Sequence, residues 1–167
     1  GCAAAISDCA VESAARACAS SAGVYFIGRG IDYPVALEGS LKLKEVSYVP
    51  GEGYPAGELK HGTIALIDGG TLTIAIMTER TLGEKTASAV EQIYSRGGRA
   101  GVVYAEGCAP PELLERAEFA VKVPSFASCL SPIISVIPLQ LIAYRTAVIL
   151  GRDPDKPRNL AKSVTVE

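Results

Sequence analysis

Residues 24–51, VYFIGRGIDYPVALEGSLKLKEVSYVPG, contain the pattern that decides the fold. The run at 24–27 is apolar, β-branched and aromatic, and Gly28-Arg29-Gly30 follows it at once, which is typical of a buried strand that leads into a tight turn. Pro34 is well placed as a first helical residue, and Pro50-Gly51 is a helix stop. The stretch therefore predicts a strand, a tight turn and a helix over residues 34–48.

The rest of the chain continues this alternation. An Ala-rich helix is predicted at 3–19, where Glu12 and Arg16 have i,i+4 spacing, and further helices are predicted at 82–95 and 130–150. Apolar runs at 64–67, 72–76, 101–104 and 119–123 predict strands, and the Gly- and Pro-rich stretch 50–62 predicts a long functional loop. We expect one α/β domain over residues 1–151, with a mainly parallel sheet flanked by helices, and a C-terminal tail over 152–167.

Composition excludes several functional classes. Sixteen basic and eighteen acidic residues give a net charge of −2 without a basic run, so no nucleic-acid surface is expected. Five cysteines without a C-x-x-C pair argue against a disulfide framework and a zinc site, and favour the reducing cytosol. Residues 1–5 do not resemble a signal peptide. The apolar stretch 130–150 is nearly long enough to span a membrane, but two prolines, Gln140 and Arg145 interrupt it, so a buried core helix is favoured.

Three charged side chains share one face of the predicted helix at 34–48. Glu38, Lys42 and Glu45 are four and three residues apart, so at about 100° per residue they fall within an arc of about 60°. Apolar residues border this arc on both sides. Two carboxylates and an ammonium held together in this way can tune a general base. The alternative is an ordinary surface ion-pair ladder worth about 0.3–0.5 kcal/mol, and the spacing alone favours it.

Two further residues are candidates for chemistry. His61 is the only histidine, and its ordinary pKa suits proton transfer at neutral pH, although a lone loop histidine is more often simply exposed. Lys162 is an amine that can attack a carbonyl if the tail folds over a site, although a terminal lysine is normally solvated. No metal is expected, since a single histidine cannot form a His cluster. No nicotinamide cofactor is expected either, because Tyr33 stands where a dinucleotide fingerprint has its third glycine.

Four stretches, taken in order, resemble one known family. They are 28–34 (GRGIDYP), 36–45 (ALEGSLKLKE), 56–62 (AGELKHG) and 157–167 (PRNLAKSVTVE). Together they resemble the second sugar isomerase (SIS) domain of the glucosamine-6-phosphate synthases, from about residue 24 to the last residue. The resemblance implies an SIS-type three-layer α/β/α sandwich with an extended C-terminal tail that closes the active site.

The resemblance also implies a role for each candidate residue. The family makes glucosamine 6-phosphate from fructose 6-phosphate and glutamine: a glutaminase domain releases ammonia, and two SIS domains form and isomerise the imine. Glu45 would be the base that moves a proton between C1 and C2, with Lys42 beside it and Glu38 supporting the pair. His61 would open the sugar ring in the active site of the neighbouring subunit. Lys162 would hold the sugar as a Schiff base.

The family further implies a cytoplasmic homodimer without membrane or nucleic-acid partners. It also implies that upstream SIS and glutaminase domains belong to the parent chain. Two family elements are missing: Cys2 lacks glutaminase surroundings, and the turns at 30–32 and 77–80 lack the clustered hydroxyls that a phosphate prefers. We therefore expect little or no synthase activity from the 167 residues alone. One alternative is a non-catalytic sugar-phosphate sensor. Another is a structural dimerisation domain, which leaves the charged helix face unexplained.

Overall fold

The computed structural model of the chain describes residues 6–160. The strands are β1 (Gly23–Gly28), β2 (Gly51–Pro55), β3 (Thr71–Met77), β4 (Arg99–Ala105) and β5 (Ala120–Val123), and the helices are α1 (Asp8–Ala19), α2 (Asp32–Ser47), α3 (Gly83–Tyr94), α4 (Pro111–Arg116) and α5 (Ser131–Ile149). The strands form one sheet in the order β2-β1-β3-β4-β5, and every neighbouring pair is parallel. The fold is the expected α/β sandwich with helices on both faces of the sheet.

Two hydrophobic clusters hold the three layers together. On one face, α1, α2 and α5 pack on the sheet around Phe26, Ile74 and Leu139, all at most 1% exposed. On the other face, α3 and α4 pack around Met77, Val102 and other strand residues. Successive strand residues alternate between the two clusters, so the central strands β3 and β4 are almost entirely buried. The sheet is therefore covered on both sides, as a parallel sheet requires.

The structure confirms most of the predicted elements. The strands predicted at 24–27, 72–76, 101–104 and 119–123 correspond to β1, β3, β4 and β5. The helices predicted at 34–48, 82–95 and 130–150 correspond to α2, α3 and α5. Helix α1 begins at Asp8 instead of residue 3, because the Ser7 side chain accepts a hydrogen bond from the Ala10 amide and caps the helix there. Residues 3–5 of that prediction lie outside the described part of the chain.

Three local expectations are wrong. Residues 64–67 do not form a strand: residues Thr63–Leu66 are a 3₁₀ turn, in which the Ala65 amide donates to the Gly62 carbonyl. The stretch 50–62 is not all loop, because Gly51–Pro55 is the edge strand β2, paired with β1. A short helix, α4, was not anticipated. An apolar run of four residues is too short to distinguish a strand from a turn. An edge strand that contains Gly and Pro has the composition of a loop.

Helix α5 is the long apolar helix of the domain. Within residues 6–160, one stretch, Ser128–Ile149, is long and apolar enough to cross a membrane by length and composition, with a mean hydropathy of 1.6. In the structure α5 packs against both α1 and α2 and places Leu139, Ile142 and Ala143 in the core. The Thr146 hydroxyl donates to the Ala15 carbonyl of α1 at 3.4 Å. These contacts are those of a core helix, as the sequence favours.

Candidate functional site

Helix α2 carries the predicted charged face. Gly39 faces α5, where a Cβ would come within 2.7 Å of Leu139, so this side of α2 lies tightly against its neighbour. Glu38, Lys42 and Glu45 lie on the side of α2 that points away from the core. About a third of each of these three side chains is exposed, so they are neither in the core nor freely solvated. The helix thus presents them together on one partly shielded surface.

Lys42 and Glu45 form the closest charged contact of this face. The Lys42 Nζ donates to Glu45 Oε2 at 2.7 Å, while Glu38 Oε1 lies 3.6 Å from the same nitrogen. The hydrogen bond to Glu45 is the main cause that raises the pKa of Lys42, burial opposes it, and the charge of Glu38 adds to the rise. The ammonium therefore stays charged at neutral pH. A fixed ammonium at this distance holds the Glu45 carboxylate in one orientation.

The C-terminal tail returns to the same end of α2. Helix α2 ends at Ser47, and the next residue, Tyr48, has a left-handed backbone (φ 63°). The Arg158 amide donates to the Tyr48 hydroxyl at 2.8 Å, and the guanidinium carbons of Arg158 and Arg152 lie 4.3 and 5.4 Å from the centre of the Tyr48 ring. A cavity of about 250 Å³ lies between the tail and the helix, and Glu45 lines it. The tail thus covers part of the candidate site.

Replacing Tyr48 by Leu should loosen this contact between the tail and α2. The substitution removes two cation–π contacts, each worth about 0.5–1 kcal/mol at an exposed site, and one hydrogen-bond acceptor. We expect hydrogen exchange at the Arg158 amide to accelerate about tenfold. Hydrogen exchange followed by NMR measures this rate in the 167-residue chain.

Tyr48→Phe separates the two contributions, because it keeps the ring and removes only the hydroxyl that accepts from Arg158. It should give an intermediate exchange rate. Tyr144→Leu is the matched control, since Tyr144 is an exposed tyrosine on α5. Unchanged exchange at Arg158 in Tyr48→Leu would contradict the tail contact.

His61 lies at the other end of α2. It is exposed in the turn after β2, and its amide donates to the Glu58 carbonyl at 3.0 Å. This turn starts where the Ala56 amide donates to the Gly28 carbonyl, beside the start of α2, whereas Glu45 is in the last turn of that helix. At 1.5 Å per residue the two ends of α2 are about 20 Å apart. One chain therefore does not bring His61 and Glu45 together.

Lys162 falls outside the described residues, so its placement relative to Glu45 stays a prediction. The described tail reaches Leu160, which lines the cavity beside Glu45. Within residues 6–160, no group of three or more His, Cys, Asp and Glu side chains could hold a metal ion.

Two features of this region were missed from the sequence. One is the Tyr48 contact with the tail, for which an aromatic residue at the end of α2 and arginines in the tail were the available signal. The other is Asp32, 3% exposed, whose carboxylate accepts hydrogen bonds from the Thr78 amide at 2.8 Å and from the Thr78 hydroxyl. Burial raises the pKa of Asp32, although the Thr78 hydrogen bonds oppose the rise. Asp32 joins the turn after β1 to the turn after β3.

Comparison with known proteins places this geometry in a family. The model of the SIS domain family matches residues 19–150. The glutamine–fructose-6-phosphate aminotransferase (isomerising) of Caldanaerobacter subterraneus subsp. tengcongensis is 51% identical over 144 residues, which are 86% of this chain and 23% of that protein. The same enzyme of Thermus thermophilus is 51% identical over 142 residues. The chain spans about a quarter of the length of the curated relatives it matches.

A solved structure gives the same result. The C-terminal domain of the glucosamine–fructose-6-phosphate aminotransferase of Francisella tularensis superimposes with a TM-score of 0.78 at 34% identity, over 89% of this chain and 42% of that one. The sugar isomerase domain of an RpiR transcription factor from Sphaerobacter thermophilus has a TM-score of 0.74 at 19% identity, a likeness of fold alone. With the family model covering most of its length, the chain belongs to the SIS domain family.

Proposed function

We propose that this chain is the C-terminal isomerase segment of a glutamine–fructose-6-phosphate aminotransferase (isomerising), and that it acts in amino-sugar biosynthesis. The identity of 51% to such enzymes and the match to the C-terminal domain of one of them support the proposal. In this proposal the substrate is the imine of fructose 6-phosphate and the product is glucosamine 6-phosphate. The observation that carries it is the Lys42–Glu45 pair beside the returning tail, on a chain with these relatives.

Glu45 is the proposed base. In the reaction a proton leaves C1 of the sugar imine and a proton is added at C2, so one carboxylate next to both carbons can carry it. Lys42 holds that carboxylate through a hydrogen bond of 2.7 Å and supplies positive charge near the sugar oxygens. Glu38, at 3.6 Å from Lys42 Nζ, steadies the ammonium from the other side.

The proposal assigns the remaining steps to residues that approach from elsewhere. His61 opens the sugar ring, and because it lies at the far end of α2 from Glu45 it would act in the site of a second subunit of a homodimer. Lys162, two residues beyond Leu160 in the sequence, would hold the open sugar as a Schiff base, and residues 152–167 would close the site over it. Loss of water from the site would then strengthen the charged contacts around the sugar.

The proposed setting is a cytoplasmic homodimer in which upstream SIS and glutaminase domains of the parent chain supply ammonia and bind the phosphate. No cofactor is part of the proposed chemistry. The second candidate function is a non-catalytic sugar-phosphate sensor, and the SIS fold of a transcription factor is compatible with it. The aminotransferase relatives, with their far higher identity, favour the enzyme.

The test compares the full-length parent protein with the 167-residue chain. The full-length protein should form glucosamine 6-phosphate from fructose 6-phosphate and glutamine, and the 167-residue chain should form little or none. Product is measured directly by mass spectrometry. A full-length protein that binds sugar phosphate but forms no product would favour the sensor. Measurable turnover by the 167-residue chain would contradict the proposal that upstream domains must supply ammonia and bind the phosphate.

A further inference from the structure

A crevice opens at the carboxyl ends of β3 and β4, on the edge of the sheet at which parallel α/β domains bind ligands and next to the switch point between β1 and β3. Its volume is about 370 Å³. It is lined by the turn after β3, by the start of the turn after β4, and by the connection from β5 to α5. This crevice is separate from the Glu45 site, which lies at the opposite end of α2. The crevice therefore lies at the ligand-binding edge of the sheet, and its lining decides what it can hold.

Several features of the lining favour an anion. Helix α5 has 19 residues and starts at the crevice, and no side chain among the described residues caps it. Ser131, in the first turn of α5, lines the crevice and is only 7% exposed. Ser125, Ser128 and Thr81 add further hydroxyls. Uncapped helix N-termini and convergent hydroxyls are what phosphate-binding sites are made of.

The hydroxyls at 125, 128 and 131 were not visible as one group in the sequence, because they follow β5 and not the turns at 30–32 and 77–80. The expectation from the sequence considered only the hydroxyls of those two turns, and the turn at 77–80 forms only part of the lining of the crevice. The connection from β5 to α5 supplies the others.

A carboxylate of the chain itself already occupies this crevice. The Ser128 hydroxyl donates to Glu79 Oε1 at 3.3 Å. The other carboxylate oxygen of Glu79 lies against Gly30, where an added Cβ would overlap it. Gly30 has a left-handed backbone (φ 56°), so glycine is favoured there for both reasons. Glu79 thus connects the turn after β1 to the N-terminal end of α5.

The charge around Glu79 also opposes a second anion. Burial raises the pKa of the nearby Asp32 carboxylate, hydrogen bonds from Thr78 and from the Glu79 backbone oppose the rise, and the charge of Glu79 adds a smaller contribution to it. Glu106 lines the same crevice, and its only charged partner among the described residues is Lys122, at 3.3 Å. Arg80 is the single basic side chain in the described lining. With Glu79 ionised, the crevice has a net negative lining.

We propose that Glu79 acts as a built-in anion that closes the crevice of this domain to phosphate, and that replacing its carboxylate converts the crevice into a phosphate site. The biological role of this device rests on the proposed function, in which this domain supplies catalytic groups and another domain binds the phosphate of the substrate. Its physical content is independent of catalysis, because it concerns only whether an anion enters the crevice.

The experiment is a titration of the 167-residue chain with inorganic phosphate, followed by ¹⁵N NMR. The unmodified chain should show no saturable shifts at the amides of residues 79–81, 128–131 and 133. Glu79→Gln keeps the size of the side chain and removes its charge, so saturable shifts should appear at these amides, with affinity at least about tenfold higher than any seen in the unmodified chain. Glu79→Ser, which also removes the bulk, should bind at least as well as Glu79→Gln.

Glu115→Gln is the matched control, because it changes the net charge equally at an exposed position on α4 and should leave the crevice without phosphate. The amide spectrum of each variant shows whether it is folded. If Glu79→Gln does not fold, phosphate binding by Glu79→Ser decides the test. Phosphate shifts of equal affinity in the unmodified chain would overturn the proposal. So would the absence of saturable shifts in the folded Glu79 variants. Neither result would alter the test of synthase activity, so failure of this inference is distinguishable from failure of the proposed function.

Discussion

Glu45→Gln in the full-length enzyme should lower the rate of glucosamine 6-phosphate formation by about 10²–10⁴-fold, the usual contribution of a positioned general base. Glutamine keeps the length of the side chain and can still accept the hydrogen bond from Lys42 Nζ, but its amide cannot take a proton from C1 of the sugar. Binding of fructose 6-phosphate should change little. Turnover and sugar-phosphate binding, measured separately, therefore give different results for this one substitution.

Two further measurements make the result specific to Glu45. Because the hydrogen bond to Glu45 is the main cause of the raised pKa of Lys42, Glu45→Gln should lower the pKa of Lys42 toward its ordinary value, which NMR of the lysine side chain detects. The free energy of unfolding should change by less than about 1 kcal/mol, because the Lys42–Glu45 pair is partly exposed. Glu91→Gln, on α3 beneath the opposite face of the sheet, is the control and should keep full activity. Retention of the normal rate by Glu45→Gln would remove Glu45 from the mechanism.

Gly28→Ala should destabilise the folded chain by about 3 kcal/mol, the upper end of the usual range for overpacking. A Cβ at Gly28 would overlap the backbone carbonyl of Asp32 and come within 2.8 Å of the Tyr33 amide nitrogen. Backbone atoms at the start of α2 cannot move away as a flexible side chain can. Thermal or urea unfolding measures the loss, and for a chain of this size it corresponds to a fall in Tm of roughly 6–12 °C.

Gly23→Ala is the matched control, because Gly23 is the first residue of β1 and Gly28 the last. A Cβ at Gly23 would meet only the Pro50 carbonyl oxygen at 3.6 Å, an ordinary contact. We expect its effect on the free energy of unfolding to stay within about 0.5 kcal/mol. Equal effects of the two substitutions would show that the close approach of β1 and α2 does not limit stability.

Local patterns in the sequence were sufficient to predict four of the five strands and four of the five helices, because these elements bury apolar residues in the core. Helix α3 buries residues at the expected helical spacing, and strand β3 is the continuous apolar run typical of a strand covered on both faces. Strand β2 has no such pattern: it consists of Gly, Glu, Tyr and Pro, and its pairing with β1 depends on a register set elsewhere in the fold. Local composition favoured a loop there, and the tertiary contacts of the sheet edge decided otherwise.

The same distinction applies to the candidate site. The common face of Glu38, Lys42 and Glu45 follows from spacing within one helix, and their ion pairs are present in the structure. The contact of Tyr48 with Arg158 joins residues 110 positions apart, and that of Asp32 with Thr78 joins residues 46 positions apart. Neither has a periodic signal, because each depends on where separate elements end after folding. Sequence periodicity therefore predicts which side chains share a helix face, but not which segments meet across the sheet.

Helix α5 has a consequence for synthesis of the protein. It is the last helix of the domain, yet it packs against both α1 and α2 and completes the cluster around Phe26 and Ile74. While a ribosome is still making residues 131–149, that side of the sheet lacks the cover that α5 supplies, and the apolar residues that α5 buries face water. A nascent chain released before α5 emerges would thus lack one of the three helices of that layer and would be a substrate for chaperones and proteases.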